Sequence, residues 1–341
     1  MGYRMIDRTG PPPLGPDSPV LTLVGVPTRF GDGNAGSGFL RDPMGSWRPL
    51  DDDGLYDVEA ACVRLHDDFA ASIFGSLRYY HSLLPQAPQF LSVSGLNSES
   101  ALTRDQFEKM LVKCAAQPEL NRFLYLHDVR SLVSAVQECT KEVSQLTGEF
   151  YRILNLEPFF TPGIVLPDGV RWSTSPAVTL LNSTLGFLFI RMHSLFDYIA
   201  KLAREIDELR SDFKSYPRLA SANFLFGHRK KLRIGALPDS LFEPSDEVTE
   251  VELVRNLLIH DGLLDDMPKA YEVIESGVAI ERFVLFPDRK DGKLERFKNR
   301  HRFYGDEDKI NLRLASLVKR FQKREIVTLT ALREQLIAKR G

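Results

Sequence analysis

From Asp57 onward the apolar positions recur at spacings of three and four. Val58, Cys62, Leu65, Phe69, Ile73, Leu77, Tyr80 and Leu84 fall on one stripe. That period predicts one long helix with a buried face, ended by Pro85. A polar link over residues 92–100 leads to a shorter helix over about 103–116. The cleanest stripe follows: Val129, Leu132, Val136, Cys139, Val143, Leu146, Phe150 and Ile153. Alternation of three and four is the seam of a helix packed along another helix, in the bundle core by preference or else at a dimer interface. Pro158 and Pro162-Gly163 close it, and residues 159–176 read as a loop containing Trp172.

A further helix is predicted over 176–212, with Leu185, Leu188, Met192, Leu195, Phe196, Ile199, Leu202, Ile206 and Leu209 on its buried side and Pro217 after it. Ser245 is a good N-cap for the next helix, and Asp246 and Glu247 stand in its first turn, where acids suit the dipole. Gly262 is a natural stop. Residues 271–286 are β-branched and aromatic, and Asp291-Gly292 is a turn signal, so a small β-hairpin is expected there. Ile310, Leu314, Leu317 and Phe321 begin a C-terminal helix. The first 55 residues, with Pro11 to Pro13, Pro16 and two glycine clusters, read as an irregular arm with one short strand near residues 20–26. The fold class expected is mainly α, a helical bundle with a small hairpin near the C-terminus. Its expected divisions are 1–55, 56–158 and 175–341.

The chain has 341 residues, 43% hydrophobic and 26% charged, with a net charge of -2. That composition excludes global disorder and collagen-like classes. The charge is uneven. Residues 281–341 hold 17 basic and 9 acidic side chains, a net of +8, against -10 for the remainder. Such asymmetry fits a nucleic-acid-facing end or a solvated helix face. Cys62, Cys114 and Cys139 are too few and too scattered for a disulfide scaffold or a zinc site, so a reducing cytoplasm is expected. No leader and no membrane span is read.

Walker A, HExxH and GxSxG are absent from the sequence. Residues 31–36 match GxGxxG, but Pro27 precedes them, Pro43 and Gly45 follow, and no βαβ unit surrounds them, so a surface loop is the reading adopted. His66, His81, His127, His193, His228, His260 and His301 form no metal-like pair with another His or Cys, and no cofactor is implied.

The informative segment is residues 252–262, with Arg255, Asn256, His260, Asp261 and Gly262 at a helix end. The negative end of the dipole favours imidazolium at His260 by ~0.3–1 kcal/mol when exposed. Asp261 acts the same way, which suits a proton donor near neutral pH. Asn256 lies four before His260, on nearly the same face. Arg255 lies five before it, about 140° away around an ideal α-helix. Either the long arginine reaches around, or a second copy supplies the partner. Arginine grips phosphate bidentately. In isolation, an Arg and a His at a helix end can equally cap carbonyls and satisfy acids.

The whole string resembles the HEPN superfamily, whose signature is an Arg, often followed by Asn, then four to six residues and a His. Arg255, Asn256 and His260 match it, and the segment around His193 and Asp197 is similar to the other core helix. The resemblance covers roughly residues 175–265. It implies a helical bundle that dimerises and brings two Arg/His pairs into one cleft. Active members are metal-independent endoribonucleases in which the ribose 2′-hydroxyl attacks the adjacent phosphate, leaving a cyclic phosphate and a 5′-hydroxyl. In this chain His260 would move the proton, Arg255 would stabilise the phosphorane, and Asn256 would position His260 or the backbone. His193 and Asp197, four apart, are candidates for orienting the site. Arg229, Lys230, Lys231 and Arg233, with Arg296, Lys298, Arg300 and Arg302, are candidates for tracking an RNA backbone, with Phe297, Phe303 and Tyr304 interleaved. The expected partners are an RNA substrate, a second copy of the chain and, for a toxin or defence effector, an antitoxin or other regulatory protein. The alternative is a non-catalytic module that binds RNA, a nucleotide or a protein.

Overall fold

The computed structural model of the chain describes residues 17–32, 38–50, 54–160, 167–262 and 264–340. It is 53% helical and 12% strand, a mainly α fold. The helices are α1 (Gly54–Phe74), α2 (Leu77–Leu83), α3 (Arg104–Lys113), α4 (Leu120–Leu156), α5 (Pro176–Asp207), α6 (Asp246–Asn256) and α7 (Ile310–Ala338). The strands are β1 (Pro19–Thr22), β2 (Thr28–Arg29), β3 (Gly38–Arg41), β4 (Trp47–Pro49), β5 (Gly169–Ser173), β6 (Ala270–Glu275), β7 (Val278–Phe283), β8 (Arg289–Lys290) and β9 (Lys293–Leu294). Among the described residues, no helix is long and apolar enough to cross a membrane.

The predicted stripes are buried on α4, α5 and α7: Val129, Val136, Cys139, Phe150, Leu188, Met192, Ile199, Leu314 and Phe321 are all at or near zero exposure. Five local expectations fail. The stripe over residues 57–84 is broken into α1 and α2 at Gly75, whose φ of 83° is left-handed. Ser76 restarts the helix, its Oγ accepting from the Tyr79 amide at 3.1 Å. An unbroken period could not show this, because the apolar spacing carries on across the break. In the expected irregular N-terminal arm, with its one short strand, the described residues form a four-stranded antiparallel sheet in the order β2-β1-β3-β4. The expected loop around Trp172 is β5, paired with β6 from Gly169↔Ile274 to Ser173↔Ala270. The helix expected over 176–212 stops at Asp207. The C-terminal hairpin is two hairpins, β6-β7 and β8-β9. The proline run at residues 11–13 and Pro16, and residues 33–37 of the glycine match, lie outside the described residues.

The chain forms two compact units, each built from three stretches. The first holds residues 1–52, 142–190 and 249–319; the second holds 53–141, 191–248 and 320–341. They interleave along the chain, unlike the serial divisions expected from its patterning.

All nine strands belong to the first unit. Two buried asparagines tie it together. Asn155 of α4 serves Thr22 like an added strand, its Oδ1 accepting from the Thr22 amide and its Nδ2 donating to the Thr22 carbonyl. Asn311 at the start of α7 donates to the Leu23 carbonyl at 2.7 Å and accepts from the Val284 amide at 3.1 Å. Tyr151 donates its hydroxyl to the Asn311 carbonyl. The Arg282 guanidinium donates to the carbonyls of Leu154, Asn155 and Glu157, a cation closing the end of α4.

The second unit is helical. Phe196 stacks on Phe226 with centroids 4.4 Å apart and lies 5.4 Å from Phe321. Glu205 is fully buried, with Tyr125 donating to one carboxylate oxygen and the Ser221 amide to the other. Buried polar groups need such partners.

Candidate active site

Arg255, Asn256 and His260 lie in the first unit, at the end of α6. Ser245 caps that helix as expected, its Oγ accepting from the Val248 amide at 3.3 Å. The far end departs from the ideal α-helix assumed above. Leu257–Asp261 forms a single π-helical turn. In such a turn the backbone closes at i→i+5, so each residue advances less around the axis. The separation of Arg255 and His260 is therefore smaller than the α-helical value of about 140°. The widened turn rotates the histidine back toward the arginine.

Leu257 is buried and holds the turn to the core. Leu258 reaches toward Gly186 of α5, where a Cβ would lie 3.5 Å from its side chain. Gly262 then reverses the backbone at φ 94°, ψ -120°, a conformation that suits glycine. Asn256 and His260 are exposed and Arg255 is half-buried. The Arg255 Nη1 donates to Asn256 Oδ1 at 3.0 Å. The asparagine oxygen thus holds the guanidinium rather than His260.

Arg302 meets the end of the turn. Its Nη2 donates to the Asp261 carbonyl at 3.1 Å, its Nη1 pairs with Asp266, and its side chain is 17% exposed. Arg302 is a cap on the motif's helix end and not a free phosphate contact. His301 Nε2 stands 3.8 Å from Asp261 Oδ2, and the Tyr304 hydroxyl donates to the Leu264 carbonyl at 2.9 Å. Arg296, Lys298 and Arg300 are exposed just before these anchors, on the same segment.

The remaining candidates sit in the second unit. Asp197 accepts from the Phe226 amide at 2.8 Å. It caps the 3-10 turn over Phe226–Lys231. His193 packs edge-on against Phe196 and Phe226. Arg229 lies over the Phe226 ring at 4.0 Å, while Lys230, Lys231 and Arg233 are exposed. Elsewhere in this unit, His127 is pushed down to about 4 by burial, with Arg130 and His66 adding to the effect.

Neither family models, curated proteins nor solved structures give a match to this chain. Among the described residues, no group of three or more His, Cys, Asp or Glu is placed to hold a metal ion. A cleft of about 520 Å³ in the first unit is lined by Trp47, Leu146, Leu156 and Phe187 with Arg152 and Glu149. It contains none of the motif residues. Lys290 and Lys293, which flank the Asp291-Gly292 turn, escaped the sequence reading; the turn signal was visible there, but not what its flanks present.

Proposed function

We propose that the chain is a metal-independent endoribonuclease of the HEPN type, acting as a homodimer through Arg255 and His260. The observation carrying this reading is the π turn. By helix geometry it narrows the angle between Arg255 and the exposed His260, while Asn256 holds the guanidinium.

In this reading the ribose 2′-hydroxyl of the substrate attacks the adjacent phosphorus and the 5′-oxygen leaves. A 2′,3′-cyclic phosphate and a 5′-hydroxyl result. His260 moves the proton, which such groups do with gains of typically ~10²–10⁴-fold. Arg255 meets the charge that develops on the phosphorane oxygens, where a preplaced cation is worth most. A second copy places a second Arg/His pair in the same cleft.

The test is cleavage of single-stranded and structured RNA in EDTA by the wild type, His260→Ala and Arg255→Ala. Each variant is expected to lose about 10²-fold or more. Substrate with a 2′-deoxyribose at the scissile position is expected to resist. Equal activity in all three proteins removes the mechanism. RNA binding without cleavage would instead favour the non-catalytic module. Sedimentation is expected to give a dimer.

A further inference from the structure

Residues 288–305 form a double hairpin that the reaction itself does not need. Asp288 is its root. The buried carboxylate accepts from the amides of Gly305 and Asp306 at 2.6 and 3.1 Å. Its backbone joins Phe303 and Glu295 at 2.7 and 3.0 Å. The first hairpin pairs Lys290 with Lys293 across Asp291-Gly292, both at positive φ. The second pairs Phe297 with Arg300 through reciprocal backbone bonds of 2.7 and 2.9 Å. Past it the chain is fastened to the motif by Arg302 on Asp261 and Tyr304 on Leu264.

Its surface is mainly basic, with five exposed cations against the exposed carboxylates of Asp291 and Glu295. Lys290, Lys293, Arg296, Lys298 and Arg300 are exposed, and among the described residues none of them forms an ion pair. The other two cations are paired, Arg289 with Glu250 at 2.7 Å and Arg302 with Asp266. Cross-strand partners share a face, so Lys290 and Lys293 stand side by side, a like-charge pairing that costs stability. Phe297 is 64% exposed, with the Lys298 ammonium 5.6 Å from its ring centre and Arg300 beside it. An exposed ring next to cations matches the parts that hold unpaired bases and their backbone. A duplex hides its base faces and cannot use the ring.

We propose that this double hairpin loads single-stranded RNA onto the Arg255/His260 site. Its cations track the phosphates and Phe297 stacks on an unpaired base. The proposal rests on the ribonuclease reading, yet its test separates the two.

Binding of a 2′-O-methyl single-stranded oligonucleotide, which lacks the attacking hydroxyl, is measured across a salt series. Single strands give a slope of about -0.7 per neutralised phosphate. The double variant Lys290→Gln/Lys293→Gln is therefore expected to flatten the slope by about 1.4. Phe297→Ala is expected to weaken single-strand binding roughly 5- to 150-fold and leave binding of the matching duplex unchanged. On long RNA it is expected to raise KM more than it lowers kcat. Unchanged single-strand affinity in both variants overturns the proposal, even if Arg255 and His260 prove catalytic. Preferential capture of anionic lipid vesicles, lost in the same variants, overturns it too. Binding that follows these expectations without cleavage upholds the hairpin as a single-strand RNA platform and removes only the ribonuclease reading.

Discussion

Glu325 shows what a single residue can do in this fold. It is fully buried on α7, and Thr140 of α4 donates its hydroxyl to one carboxylate oxygen at 2.6 Å. Among the described residues the other oxygen has no hydrogen-bond partner. Burial pushes its pKa up to about 8, so the folded chain holds this proton where the unfolded chain releases it. The resulting stability is complete below the unfolded value near 4.5 and is lost as pH rises through about 8. His127 works in the opposite sense, and its contribution is lost as pH falls from 6.5 toward about 4. Above pH 6.5 only the glutamate term remains of the two. Between pH 6.5 and 8, wild-type stability is expected to fall by about 1.4 kcal/mol per unit at most. Glu325→Gln is expected to be flat in that window, and parallel urea midpoints for the two proteins would sink the assignment. That Arg255 and His260 stand at a helix end was legible from spacing and residue type. Glu325, Asn155 and Asn311 were not, because a polar residue inside an apolar stripe looks the same whether it meets water or a buried partner.

Two glycines inside helices carry opposite predictions for their elements. In α4, a Cβ on Gly148 would lie 2.0 Å from the Trp47 carbonyl oxygen of β4. Backbone cannot step aside as a side chain does, so Gly148→Ala must push β4 away, at about 1–3 kcal/mol or more. In α5, a Cβ on Gly186 meets only the Leu258 side chain, at 3.5 and 3.6 Å. Gly186→Ala is expected to add about 0.5–1 kcal/mol by restricting the unfolded chain. Thermal or urea unfolding checks both, and a gain at Gly148 would falsify the close approach. Helices of this length were readable because several turns repeat one pattern. Strands of two to five residues contain too few alternations to stand out, and a proline- and glycine-rich stretch hid the first sheet. The π turn was unreadable for another reason: Leu257–Asp261 fits an α-helical or a π-helical ending equally well by composition.

At the scale of the molecule, the interleaving of the two units decides what can stand alone. A fragment of residues 175–341 contains the whole motif and the double hairpin. It nevertheless lacks Tyr151 and Leu23, which bond Asn311 of α7, and the Leu154, Asn155 and Glu157 carbonyls, which hold Arg282 of β7. Such a fragment is expected to show no cooperative urea transition, and a sharp two-state melt would overturn the expectation. The sequence suggested serial divisions because each helix announces itself locally, whereas nothing in a local pattern says which distant helix will share its core. The same interleaving sets a clock. The Leu23 carbonyl meets the Asn311 carboxamide across a separation of 288 residues. At a synthesis rate of roughly 5–20 residues per second, the first sheet waits about 15–60 s for that contact. Through that interval the Leu23 carbonyl lacks the Asn311 carboxamide, so the first sheet completes its hydrogen bonding only when α7 has begun to emerge.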